Sequence, residues 1–156
     1  QLGFLKECGI KDVAVVVGYE RKIIIDTIGD QVTYYYNPFF ETTNSIVSMW
    51  LARKYFEGTE NVIVLNCDIL VESETIDELI NCSHEFSVLL DIGKYNKLGY
   101  KVKIVNDLVV NMGMDIRVSE VSGEYAGISK ISPKILADLR REFLHAEFRQ
   151  KFLLYE

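Results

Sequence analysis

Asn61-Val-Ile-Val-Leu-Asn-Cys-Asp68 is the stretch on which the fold turns. It is the most strand-like segment of the chain, it follows Gly58, and it ends on a carboxylate. In open α/β sheets ligands gather outside the carboxyl ends of the strands, so Asp68 stands where a functional group is expected. Upstream, Thr43, Asn44 or Ser45 can cap a helix running to about residue 55, with Val47, Trp50 and Leu51 on its inward face. Before that come a strand at 31–36 and a crossover helix at 20–28 carrying Ile24, Ile25 and Ile28. A Val and Ala run at 12–18 reads as a strand buried on both faces. Leu2, Leu5 and Ile10 mark a short first helix that Gly9 stops. Downstream, Ser73 caps a helix with Ile76, Leu79 and Ile80 inside.

This alternation of strand and helix implies an α/β fold, a Rossmann-like doubly wound mixed sheet. From Glu85 the pattern changes to extended segments at 87–91, 100–105 and 108–112 with no helix between them, a mixed-sheet insertion. Residues 123–131 form one more strand. Ser132-Pro133 opens a last helix, the proline sitting where its missing N–H costs nothing, and Leu144, Phe148 and Phe152 continue it. The 156 residues are expected to form one domain.

Composition narrows the function. With 49% hydrophobic residues and 2 prolines the chain is built to fold rather than to stay disordered. A net charge of −6 and no cluster of Lys and Arg argue against nucleic-acid or acidic-lipid partners. Cys8, Cys67 and Cys82 have no metal-ligand spacing and make an odd set, which fits a reducing cytoplasm. The longest apolar runs are far below the ~20 residues of a membrane-spanning helix.

Asp68 is the strongest candidate for chemistry, because a carboxylate at that strand end can hold Mg²⁺ against a triphosphate; the plain alternative is an aspartate that begins a turn. Thr42, Thr43, Asn44, Ser45 and Ser48 form a polar helix start that could meet a nucleotide or simply satisfy its own backbone. Glu124 and Tyr125 lie between Gly123 and Gly127, where either a ligand or a neighbouring side chain can come close. Trp50 and Tyr34-Tyr35-Tyr36 read as core packing rather than as a stacking platform. His84 and His145 read as surface residues.

Taken in order, these residues resemble the sugar nucleotidyltransferase family, in the branch that includes phosphocholine cytidylyltransferases. The likeness rests on 1–10, on Val15-Val-Val-Gly-Tyr19, on Asn37-Pro-Phe-Phe-Glu-Thr-Thr-Asn-Ser-Ile46 with Ser48-Met-Trp-Leu-Ala52, on Val64-Leu-Asn-Cys-Asp68 and on Gly123-Glu-Tyr-Ala-Gly-Ile128. The resemblance implies Mg²⁺ on Asp68, Asn44, Ser45 and Ser48 near the base of CTP or UTP, and Glu124, Tyr125 and Glu156 facing a phosphorylated acceptor such as phosphocholine or a sugar 1-phosphate. Met114 stands where relatives tend to carry a phosphate-contacting lysine, which leaves Lys101 or Lys103 to supply that charge. The family's glycine-rich first loop and second metal-binding aspartate are expected outside 1–156. Impaired transfer by this segment alone and a homodimer built on the sheet edge are the corresponding expectations. A nucleotide-sugar-dependent glycosyltransferase and a non-catalytic nucleotide-binding remnant are the competing readings.

Overall fold

The computed structural model describes residues 1–58, 60–92 and 99–144. In chain order the elements are α1 (Leu2–Glu7), β1 (Ala14–Val17), α2 (Arg21–Ile28), β2 (Thr33–Tyr36), α3 (Ser45–Leu51), β3 (Val62–Leu65), α4 (Ser73–Asn81), β4 (Phe86–Asp91), β5 (Lys101–Val105), β6 (Leu108–Gly113), β7 (Gly123–Ile131) and α5 (Pro133–Leu144). They fall in two compact units, one built from residues up to 62 and from 132 onward, the other from 63 to 131.

In the first unit β1, α2 and β2 make a parallel strand–helix–strand unit, with Val15 opposite Tyr34 and Val17 opposite Tyr36. Asn37 N extends the ladder by one bond to Val17 O at 2.9 Å. α1 stops where Gly9 takes φ +80° and Ile10 N bonds back to Leu5 O. That is the left-handed stop glycine makes cheaply. Asn44 caps α3, its side chain accepting from Ile46 N at 3.2 Å, and a 3₁₀ turn at Arg53–Phe56 follows. The buried apolar residues of this unit include Leu5, Val17, Val47, Phe56, Leu136 and Phe143.

Two expectations are corrected here. The strand at 12–18 is shorter and is not buried on both faces, since Val17 is buried while Ala14, Val15 and Val16 are half-buried. α2 buries no residue: Ile24 and Ile28 are half-buried, Ile25 is exposed, and Ile23 is 60% exposed. A two-stranded sheet offers too little surface to cover a whole helix face.

The second unit is organised on β7, which pairs with β3, β4 and β5, while β6 pairs with β5. β4 and β5 run antiparallel to it, as the three successive extended segments require. β7 bulges in the middle, where Ala126, Gly127 and Ile128 stand opposite the single Leu89 of β4. Val102, Ile128 and Ile131 are buried, as are Ile76 and Leu79 of α4. Ser73 does not cap α4. Glu72 holds the cap position with extended backbone, and Ser73 lies in the first turn with its hydroxyl on Glu74 at 3.2 Å. Ser132 does cap α5, its hydroxyl accepting from Ile135 N. Phe148, Phe152 and the further acceptor-side residues Tyr155 and Glu156 lie outside the described residues, as does His145.

Candidate active site

β3 ends at Leu65, and the backbone then turns at Cys67 and Asp68. What holds this exit is Asn66, whose N–H donates to Gly127 O at 2.9 Å. Its side chain also fills the space at Gly127, where an added Cβ would lie 2.8 Å from Asn66 Nδ2. Gly127 has φ +84°, the geometry a bulge of this kind demands. The glycine thus admits a neighbouring side chain, not a ligand. Gly123 does the same for Leu90 and the Asp91 carbonyl. Asp68, two residues beyond Asn66, is exposed. Among the described residues no three His, Cys, Asp or Glu side chains gather to hold a metal by themselves. A lone exposed carboxylate fits Mg²⁺ of the kind that keeps most of its ligands as water and substrate phosphate oxygens.

Glu124 lies in a row that crosses four strands: Asp91 of β4, Glu124 of β7, Lys101 of β5 and Gly113 of β6 are successive partners. Directly opposed residues share a sheet face, so the three charged side chains project to the same side. Room for the Glu124 carboxylate comes from Gly99, whose added Cβ would fall 1.9 Å from Glu124 Oε1. Lys101 Nζ donates to Met114 O at 2.6 Å, which brings an ammonium to Met114 itself. Lys103 instead forms an ion pair with Glu120 at 2.5 Å. Of the two lysines, Lys101 is therefore the one that reaches Met114. Tyr125 points to the other face, its hydroxyl 2.8 Å from that of buried Ser129, and burial pushes its pKa up.

The polar stretch 37–48 is organised by a residue that carried no role in the sequence reading. Asn37 is 3% exposed. Its Nδ2 donates to Thr43 Oγ1 and to Ser48 Oγ, both at 3.2 Å, and its Oδ1 accepts from Phe39 N at 2.9 Å. Thr43 Oγ1 in turn donates to Phe39 O at 2.7 Å. Asn44 and Ser45 are exposed and Ser48 is half-buried. The available signal was Asn37-Pro38, since an asparagine accepting from the N–H two residues on is a turn former. Lys130 was also missed: 4% exposed, it donates to Ile80 O and Cys82 O at the end of α4. A lysine inside the apolar run Gly127-Ile-Ser-Lys-Ile131 was the clue.

Trp50 is half-buried rather than fully packed, with Nε1 donating to Phe143 O at 3.2 Å and the Arg53 guanidinium 4.1 Å over its ring. The tyrosines do not share one face. Tyr34 OH donates to Gly29 O, Tyr35 meets Tyr55 edge-on, and Tyr36 lies under Arg21. His84 is exposed.

No protein-family model matches the chain. It is 24% identical to the CTP:phosphoglutamine cytidylyltransferase of Campylobacter jejuni, over 86% of this chain and 60% of that protein. It is 26% identical to the CMP-5'-(3-aminopropyl)phosphonate synthase of Streptomyces rubellomurinus, over 94% of this chain and 24% of that one. The chain thus spans less than two thirds of the curated relatives it matches. Among solved structures, it superposes on a Bacillus anthracis protein described as a glucose-1-phosphate thymidylyltransferase with TM-score 0.74 and 18% identity, covering 97% of this chain and 63% of that one. The inositol-1-phosphate CTP transferase of T. maritima gives 0.65 and 17%, covering 87% and 57%. The fold is the mixed α/β fold of nucleotidyltransferases. In sequence as well as in fold the chain is similar to nucleotidyltransferases. No helix among the described residues is long and apolar enough to cross a membrane.

Proposed function

We propose that this chain takes part in the transfer of a nucleotidyl group from CTP or UTP to a phosphorylated small molecule, with release of pyrophosphate. The observation that carries this reading is the exit of β3, where Asn66 is bonded to the strand that bears Glu124 and Tyr125 and Asp68 follows in an exposed turn. The names of the two curated relatives, a CTP:phosphoglutamine cytidylyltransferase and a CMP-5'-(3-aminopropyl)phosphonate synthase, favour CTP.

In this reaction an oxygen of the acceptor phosphate attacks the α-phosphorus of the triphosphate, and the bond to the pyrophosphate oxygen breaks. No protein nucleophile is required, so the residues act by alignment and charge. Asp68 holds Mg²⁺, which when bound neutralises phosphate charge. Lys101 offers its ammonium to the acceptor phosphate, and Glu124 on the same face lines the acceptor, whereas Tyr125, turned to the other face, is withdrawn from it. Asn44, Ser45 and Ser48 meet the base.

Calorimetry with Mg²⁺ and CTP or UTP tests the assignment of Asp68. Asp68→Asn should bind the Mg²⁺–nucleotide at least about tenfold more weakly, the loss of a little over 1 kcal/mol expected for one charged contact. Equal affinity would remove Asp68 from the site. Pyrophosphate release with phosphocholine or a sugar 1-phosphate then identifies the acceptor class.

A further inference from the structure

Aromatic side chains gather at the carboxyl edge of the β1–β2 pair. Val17 stands opposite Tyr36, so the exits of the two strands lie side by side, with Gly18 and Tyr19 leaving one and Asn37 to Phe40 the other. Phe40 packs on Gly18, where an added Cβ would fall 2.5 Å from the Cβ of Phe40. The Phe40 ring in turn meets Tyr19, with centroids 6.2 Å apart and planes tilted by 57°. Tyr19 nevertheless stays 70% exposed and Phe39 51%. The exposure of Phe39 does not come from a loose turn, since its N–H and its carbonyl are both bonded.

A cation is fixed at the same edge. The Arg21 guanidinium lies 4.0 Å over the Tyr36 ring, and among the described residues no carboxylate pairs with it. Lys22 follows it and is exposed. The first turn of α2 thus carries two cations and no acidic residue, the reverse of what a helix dipole favours, so these charges are not placed to stabilise α2.

We propose that this edge binds the nucleotide: Tyr19, backed by Phe40, stacks on the pyrimidine ring of CTP or UTP, and Arg21 meets its phosphates. The proposal rests on the reading above in taking those nucleotides as ligands, and it gives a role to two residues that had none there. An exposed aromatic ring accepts the plane of a base whatever hydrogen-bonding groups the base carries. A guanidinium without a carboxylate partner accepts phosphate oxygens. A sugar phosphate brings the charge without the aromatic plane, so the two features together select a planar anion. Their place agrees with the rule that ligands collect outside the carboxyl ends of parallel strands.

Calorimetry of the whole chain with Mg²⁺ and CTP or UTP is the test, and both positions are exposed, so substitution there leaves the core intact. Tyr19→Leu keeps an apolar side chain but removes the plane, and it should weaken binding about tenfold, whereas Tyr19→Phe should bind near wild type. Arg21→Gln should weaken binding by a similar factor, with the gap to wild type narrowing as salt is raised. Unchanged affinity in Tyr19→Leu would overturn the proposal and leave the exposed rings to a protein partner. An equal loss in Tyr19→Leu and Tyr19→Phe, or unchanged affinity in Arg21→Gln, would overturn it as well. A wild-type chain that binds neither nucleotide would instead remove the functional reading, and this inference with it.

Discussion

At Gly127 and Gly99 the absence of a side chain serves two different ends, and substitution separates them. Gly127 combines φ +84° with an Asn66 side chain that an added Cβ would approach to 2.8 Å. Gly127→Ala meets both a backbone penalty and a clash at the bulge, and it should lower stability by about 1–3 kcal/mol in a urea titration. Gly99 has no positive φ, and its added Cβ would meet the far end of the Glu124 side chain. That carboxylate can swing aside. Gly99→Ala should therefore change stability by less than about 0.5 kcal/mol, as an ordinary surface substitution does, while raising KM for the phosphorylated acceptor. A KM unchanged by Gly99→Ala would separate Glu124 from acceptor binding. Gly127 stands out in the sequence and Gly99 does not, and in both whether a ligand or a protein atom fills the space depends on a partner far along the chain, Asn66 for Gly127 and Glu124 for Gly99.

At the scale of elements, the junction of α4, β4 and β7 is the most closely determined part of the second unit. Lys130 of β7 reaches the last carbonyls of α4, where a cation complements the helix dipole and satisfies groups the helix leaves unpaired. Cys82, at the C-cap of α4, sits 3.3 Å from Ser87 Oγ of β4. The Ser87 hydroxyl, the His84 backbone N–H and the Lys130 charge together hold its thiol pKa below the ordinary value, in that order of importance. A lowered thiol pKa populates the thiolate at lower pH, so alkylation of Cys82 by iodoacetamide should rise at a pH below that of a free cysteine. Ser87→Ala should move the profile back up, as read by mass spectrometry of the modified peptide. A profile that Ser87→Ala leaves in place would show that the hydroxyl does not govern the thiolate. The three cysteines are legible as unpaired from their number and spacing. The hydrogen bond that distinguishes Cys82 comes from the pairing of β4 with β7.

For the molecule as a whole, the weak point is β6, the end strand in the order β3–β7–β5–β6. Leu108, Val109, Val110 and Met112 are all exposed, and the strand carries no charged residue between Leu108 and Gly113. Charge on an edge strand is what commonly prevents edge-to-edge pairing. Association that rises with protein concentration is expected in sedimentation velocity, and Val110→Lys should suppress it without changing the far-UV spectrum. Association that persists in Val110→Lys would point to a different surface. The order of strands and helices, the strand at 123–131, a cap among Thr43, Asn44 and Ser45, the opening of the last helix at Ser132-Pro133 and the place of Asp68 beyond a strand were all legible in the amino-acid sequence. Each follows from periodicity and capping, which act over a few neighbouring residues. The pairing of β7 with β3, β4 and β5, the Asn66 side chain against Gly127, Lys101 on Met114, and the amide of Asn37 between Thr43 and Ser48 had to come from the folded chain. In each of these, bulge geometry or hydrogen-bond direction selects one partner among several that local sequence allows, and the selection is made only when distant segments pack.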